Sequence, residues 1–269
     1  MEGRPALIIA HPGHELVLFG WMEENRPVVS VLTDGSGRNG TSRLSSTLKV
    51  LRETGATPGD LAGLTDRQFY AAVLDGNLEL FVGLAVRLGD MLFQQRPPYV
   101  AGDAREGFNP THDICGMIIA AAVARAQRSG AVIDNLKFFL FEPHERHAAA
   151  ACRDGICHVL SEEQVQRKIA AAHAYPELAG EVEWAFSGRS PNVLESYPQL
   201  ASIFDSATEG INERGFATEC LLPAGTVSPD GGRPFYEMYG EQLAADGVYD
   251  EAISYRRHVQ PIEQALAAL

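Results

Sequence analysis

Short apolar runs alternate with longer stretches of helical periodicity over the first 150 residues. Ala6–Ala10 (ALIIA), Val28–Leu32 (VVSVL) and Phe138–Phe141 (FFLF) are apolar on both faces, so each reads as a strand sandwiched between helix layers. Tyr99–Ala101 and Ala71–Leu74 are weaker strand candidates. Between the runs, the 3.6-residue period predicts helices over Ser42–Thr54, Asn77–Gln95, Asp113–Arg128 and Glu162–His173. The Asp113–Arg128 stretch is rich in Ala and Ile all round and predicts a well-buried helix, with Thr111 or Asp113 serving its start. Gly55 stands where a helix C-terminal glycine belongs. Strand–helix alternation of this kind predicts an α/β fold with a mainly parallel sheet of about five or more strands. No repeat and no Pro/Gly/Ser linker divides the chain, so residues 1–269 read as one domain. From about residue 210 the pattern is less regular, a C-terminal extension with a strand at Thr218–Leu222 and a helix near Ile262–Ala268.

Composition narrows the partners more than the fold. Hydrophobic residues at 45% and charged residues at 21% are ordinary globular values, which excludes wholesale disorder. A net charge of −13 argues against a nucleic-acid backbone or an anionic membrane as partner. No window offers the ~18 uncharged apolar residues that a membrane span needs. The N-terminal apolar run ends in His11 and reads as a strand rather than a signal peptide. Four cysteines (Cys115, Cys152, Cys157 and Cys220) are too few for a disulfide framework, and a reducing cytoplasm is expected. A homo-oligomer is left open.

The candidate chemistry begins where the first strand ends, in Ala10-His11-Pro12-Gly13-His14-Glu15. Sites in open α/β sheets form at the carboxyl ends of strands. Two histidines three positions apart in such a turn can converge on one metal ion, and imidazole suits zinc, iron, copper or nickel. Asn109-Pro110-Thr111-His112-Asp113 stands before the buried helix, at a second strand-to-helix junction, so His112 can complete a three-histidine site. Gly35-Ser36-Gly37-Arg38-Asn39-Gly40 is a literal G-x-G-x-x-G, but it follows the second strand rather than the first. Asp60, the acidic residue such a fingerprint would need, lies in Pro58-Gly59-Asp60, which reads as a turn. A loop flanking the pocket fits better than a dinucleotide site, with Asp34 and Arg43 placed to contact substrate hydroxyls or an anionic group. Cys152-x4-Cys157-His158 has no standard zinc spacing. His173 reads as structural or supporting, and His258 as a surface residue.

These residues resemble the PIG-L/LmbE-like metal-dependent N-deacetylases. Their first strand ends in A-H-P-D-D-E and their second signature is H-P-D-H; this chain has A-H-P-G-H-E and N-P-T-H. Thr33-Asp34-Gly35 after the second strand, the Arg43-led helix, Lys168-x-x-Ala171 with His173, and Glu219 extend the likeness over residues 5–222. The resemblance implies a Rossmann-like three-layer sandwich, one divalent metal ion (zinc first) on His11, His14 and His112, and hydrolysis of an N-acylated amino sugar or a similar small conjugate. A His-Asp-His ligand set has become His-His-His, still an accepted zinc sphere. Gly13 replaces the family's general base and leaves room beside the substrate. Asn109 replaces its carbonyl-polarising histidine and can donate to an oxyanion but cannot shuttle a proton. Substitute bases are Glu15, Asp34, Asp103, Asp113, Glu142 and His144, with His144 preferred because imidazole titrates near neutral pH. Glu15 is expected to orient a ligand histidine. Two alternatives stand beside a hydrolase: a repurposed metal enzyme acting on another substrate class, and a metal-containing sugar-binding protein without turnover.

Overall fold

The computed structural model describes residues 3–37, 40–141, 144–187, 215–225 and 232–269. Strands β1 (Ala6–Ile9), β2 (Val28–Thr33), β3 (Thr57–Leu64), β4 (Tyr99–Asp103) and β5 (Asp134–Phe138) pair in parallel. β7 (Thr218–Pro223) runs antiparallel to both β5 and β6 (Ile156–Val159). The sheet order is β3-β2-β1-β4-β5-β7-β6. The chain therefore winds outward from β1 through β3, then returns to lay β4 against the other side of β1. That reversal opens a crevice outside the carboxyl ends of β1 and β4, where α/β sheets place their ligands.

Along β1 the side chains alternate between two cores. Ala6 and Ile8 pack with α3 (Asp66–Leu74), α4 (Leu78–Gln95), α5 (Pro110–Arg128), α9 (Phe235–Ala245) and α10 (Gln260–Ala267). Leu7 and Ile9 pack with α1 (Phe19–Asn25), α2 (Leu44–Thr54) and α7 (Glu162–His173). Two covered faces explain why this strand carries no polar alternation. A smaller cluster around Phe139, Ala151 and Leu222 seats α6 (His144–Asp154) near β7. α8 (Ala179–Ser187) follows α7 on the chain. The architecture is a mixed α/β fold with a mostly parallel central sheet flanked by helices.

Several local expectations are corrected. Ala71–Leu74 is the last turn of α3, not a strand. β5 ends at Phe138 because its partner β4 ends at Asp103, opposite it in register. The amides of Leu140 and Phe141 donate instead to the Glu106 carboxylate, so most of the FFLF run lies beyond the ladder. Pro58-Gly59-Asp60 is part of β3 rather than a turn. Proline is tolerated there because β3 is an edge strand. A Cβ at Gly59 would come within 2.7 Å of Ser30 Oγ, so the two strands approach at the glycine. β6 has no counterpart in the hydrophobic pattern, because its residues are half-exposed or exposed. The C-terminal part is more integrated than expected: β7 joins the sheet, Ile262 and Leu266 enter the main core, and His258 is buried at 3% exposure.

One buried ion pair ties α7 and β7 to the segment after β1. Lys168 Nζ on α7 lies 2.8 Å from Glu219 Oε1 on β7 and donates to Val17 O at 2.7 Å. Glu219 also accepts the amides of Gly20 (3.0 Å) and Trp21 (2.6 Å) in the first turn of α1, where a carboxylate meets the positive end of the helix. The lysine and the late glutamate thus anchor the segment that follows His14. No helix among the described residues is long and apolar enough to cross a membrane.

Candidate functional site

The bend after β1 is fixed before any histidine is considered. Ala10 N–H donates to Asp103 Oδ2 at 2.6 Å, and Ala10 O accepts from both Thr33 N (3.0 Å) and Thr33 Oγ1 (3.1 Å). Three adjacent strand ends are thereby bound together. Gly13 takes φ +108°, a region that favours glycine, and starts the 3-10 turn His14–Leu18. α5 begins at Pro110 with Asn109 as its cap, its Oδ1 accepting Thr111 N–H at 2.8 Å; Thr111 and Asp113 do not serve that role. The cap places His112 in the first turn, facing the same crevice end as β1.

The three imidazoles gather there. Ring centroids lie 5.4 Å apart for His11 and His14, 5.1 Å for His11 and His112, and 4.5 Å for His14 and His112. The ring planes are steeply inclined, at 82°, 65° and 85°. His14 Nδ1 lies 2.8 Å from Asp103 Oδ1. A carboxylate only accepts, so Nδ1 carries a proton and Nε2 is the nitrogen left for a metal. His11 Nδ1 lies 2.7 Å from Thr33 Oγ1, whose own proton goes to Ala10 O, and 3.1 Å from Asp66 Oδ1. The same tautomer follows. His112 Nδ1 is buried with no hydrogen-bond partner.

Burial holds His11 below the usual imidazole range, against the opposing effect of its hydrogen bond to Asp66. His112 is pushed well below it by burial and then by the charges of His14 and His11. Both rings are thus neutral at neutral pH, the form that binds metals. Burial would raise the Asp66 carboxyl, but the His11 hydrogen bond and charge, with Thr33 and the Gly37 amide, hold it well below the carboxylate range. Among the described residues, no group of three or more His, Cys, Asp and Glu side chains forms an ion-binding geometry outright. The imidazoles form a cluster of oriented rings.

The other expected residues occupy different positions. Glu15 does not orient a histidine: Oε2 accepts Gly13 N–H at 2.7 Å, Oε1 is buried without a partner, and burial raises its carboxyl. Asp103 and Asp66 do that orienting work. Asp34 pins its own loop, with Oδ1 accepting Ser36 N (3.0 Å) and Asp66 N (3.3 Å). Arg43 approaches Glu181 on α8 at 3.7 Å. Asn109 Oδ1 is used by the helix cap and by Tyr70 O–H at 3.3 Å, which leaves its Nδ2 as the donor. Asp113 Oδ1 accepts the amides of Glu106 and Gly107, and burial pushes its carboxyl up to about 6. The space beside Gly13 is filled: a Cβ there would lie 2.5 Å from Leu178 Cδ1. His144 is the first residue of α6, and its side chain, with Glu142, Arg38 and Asn39, lies outside the described residues. His173 is exposed at the end of α7.

Sequence reasoning missed Asp66, Tyr70 and an aromatic wall. The His112 ring is parallel to Phe141 at 6.1 Å; Phe141 stacks on Phe108 at 4.3 Å, Phe108 on Phe235 at 4.9 Å, and Phe235 on Tyr239 at 5.7 Å. These rings come from separate segments of the chain and are half-buried. Phe108 and Phe141 flank elements that were predicted, but nothing in the sequence indicates that they meet.

No family model matches the chain, and no curated protein matches it in sequence. Solved structures do. The conserved protein TT1542 from Thermus thermophilus is 16% identical, with a TM-score of 0.50 over 85% of this chain and 97% of that one. The A40926 pseudoaglycone deacetylase Dbv21 is 15% identical, with a TM-score of 0.50 over 83% and 97%. The zinc-inhibited form of teicoplanin deacetylase Orf2 is 13% identical, with a TM-score of 0.45 over 75% and 93%. What the chain shares with the first two is the fold, a mostly parallel sheet flanked by helices.

Proposed function

We propose that the chain is a metal-dependent hydrolase that removes an acyl group from a small N-acylated conjugate, an amino sugar in the first instance. The observation that carries this reading is the imidazole cluster itself. At the switch point of the sheet, two rings have their Nδ1 protons committed to acceptors and a third has a buried Nδ1 without a partner. Three imidazoles are a donor set that suits zinc, so His11, His14 and His112 are the residues that would hold one divalent ion. When bound, such an ion supplies Lewis-acid polarisation of a carbonyl and a water of lowered pKa. Similarity of fold to the A40926 pseudoaglycone deacetylase is consistent with an acylated small-molecule substrate.

The chain's own groups do the rest. Asp103 and Asp66 hold His14 and His11 in the tautomer that presents Nε2. Tyr70 and the helix cap fix the Asn109 amide so that Nδ2 can donate to the oxygen on which charge develops. The stacked rings of Phe141, Phe108 and Phe235 cover one another's faces and leave apolar edges for the acyl group or a sugar ring. His144, at the start of α6, is the residue to which we assign proton transfer, because Asp34 holds its loop, Asp103 holds Ala10 and His14, and Asp113 holds the amides of Glu106 and Gly107.

Acid release from N-acetylglucosamine conjugates and from aryl esters tests the reading. Hydrolysis that depends on added zinc, is lost in His112→Ala, and falls by about 10²–10⁴ in His144→Ala supports it. No zinc-dependent release from any acyl substrate contradicts it. Leu178 in the space beside Gly13 favours one second reading, a metal-containing sugar-binding protein without turnover. Saturable binding of the conjugates without release would select that reading. Gly13→Asp alone does not decide between them, because it forces an aspartate into a positive-φ position against Leu178; Gly13→Asp with Leu178→Ala is the informative pair.

A further inference from the structure

Away from the imidazoles, a cavity of about 540 Å³ lies between α5, β5, β7 and α10. It shares no residue with the histidine cluster, and its volume is that of a small-molecule site. Its walls are mostly apolar and small, with Ala121 and Ala124 on α5, Phe139 after β5, and Leu266 on α10. Set among them are three cations, Lys137, Arg105 and Arg128, and one carboxylate, Glu263, which is already paired with Arg105.

Lys137 and Arg105 have unused donors. Lys137 Nζ reaches only Gly116 O, at 3.4 Å among the described residues, so most of its hydrogen-bonding capacity is unspent. Burial pushes its ammonium down to about 8, a cost that the opposing charges of Cys115 and Asp103 do not offset. Arg105 spends NH1 on Glu263 Oε1 at 2.7 Å, while its Nε is buried with no partner. Buried donors normally find partners; the unpartnered Arg105 Nε and the half-buried Lys137 ammonium, with its one long contact, line one cavity and point to an acceptor that belongs there.

We propose that this cavity binds a small carboxylic acid with an apolar body, its carboxylate taken by Lys137 Nζ and Arg105 Nε–H and its body lying along Ala121, Ala124 and Leu266. A carboxylate presents one oxygen to each donor; a phosphate would bring further oxygens and charge that the apolar walls could not satisfy. The site does not rest on the hydrolase reading, because it is separate from the imidazoles and is tested by binding alone.

Calorimetric titration of the full chain with hexanoate, acetate and inorganic phosphate is the test. One hexanoate should bind per chain, roughly tenfold or more tightly than acetate or phosphate, because only hexanoate has a body for the walls. Lys137→Met should weaken hexanoate binding by about tenfold or more, since a charge-assisted hydrogen bond is lost. Ala124→Leu keeps Lys137 and Arg105 and fills the cavity, and should also weaken hexanoate by about tenfold or more. If Lys137→Met does not fold, Ala124→Leu decides. Absence of hexanoate binding, equal affinity for the three anions, or unchanged affinity in a folded variant overturns the proposal.

Discussion

Two buried charge assemblies flank the loop that carries His11 and His14, and they are built differently. On one side of the loop, Lys168 and Glu219 are nearly fully buried at 4% and 0% side-chain exposure. Every donor and acceptor named for that pair meets a partner: Val17 O, the Gly20 and Trp21 amides, and each other. On the other, Asp103 and Asp66 engage two histidines through one nitrogen each, while the third histidine keeps a buried nitrogen without a partner. The closed network is a fastener. The open one has lone pairs left over, and leftover ligand capacity in a buried place costs stability unless something fills it. Structure and chemistry are thus separated within a short stretch of chain.

Breaking the closed network should have the largest effect. Lys168→Met leaves Glu219 buried without its cation and should destabilise the fold by about 3–5 kcal/mol in urea unfolding. The paired change Lys168→Met with Glu219→Leu should recover much of that loss, because the uncompensated charge is gone. Asp103→Asn strikes the open network where it meets the backbone. It should cost about 1–3 kcal/mol through the Ala10 and His14 contacts, and weaken zinc binding by about 10–100-fold. His112→Leu sharpens the contrast most. It removes a nitrogen that has no partner, so the stability of the metal-free protein should change by no more than about 1 kcal/mol while ion binding is lost.

The smallest effect is a slope with pH. His11 and His112 are held below the ordinary imidazole value, so as pH falls below about 6.5 the unfolded chain takes up their protons before the folded one does. Stability of the metal-free protein should therefore decline as pH is lowered from about 7 toward 5, and His112→Leu should flatten that decline. Asp113, raised to about 6, works in the opposite direction over the same interval, because its folded form binds the proton more readily. The net slope is accordingly shallow. Urea midpoints at intervals of pH for both proteins would check the sign.

The parts of this site that were legible in the sequence are those written locally. His11 and His14 follow an apolar run, His112 precedes a buried helix, and the positions of those two junctions follow from strand–helix alternation alone. The supports were not legible because they come from far away. Asp66 reaches His11 across 55 residues, and Asp103 reaches His14 across 89. Glu15, adjacent to His14, is the support that its position suggests, yet the 3-10 turn aims it at the Gly13 amide. Leu178 beside Gly13 is a packing fact that no local pattern encodes. Among the elements, β1 and β2 were visible because both of their faces are covered, whereas β3 is an edge strand interrupted by Pro58 and Gly59, and β6 has little buried surface to mark it.

The central claim is that the three imidazoles are built to take one divalent ion. Titration of zinc into chelator-treated protein, followed by elemental analysis after gel filtration, tests it directly. The account predicts one ion per chain, lost in His11→Ala and in His112→Leu while both variants remain folded. Retention of no ion by the native chain, or of the same amount by the folded variants, would contradict it.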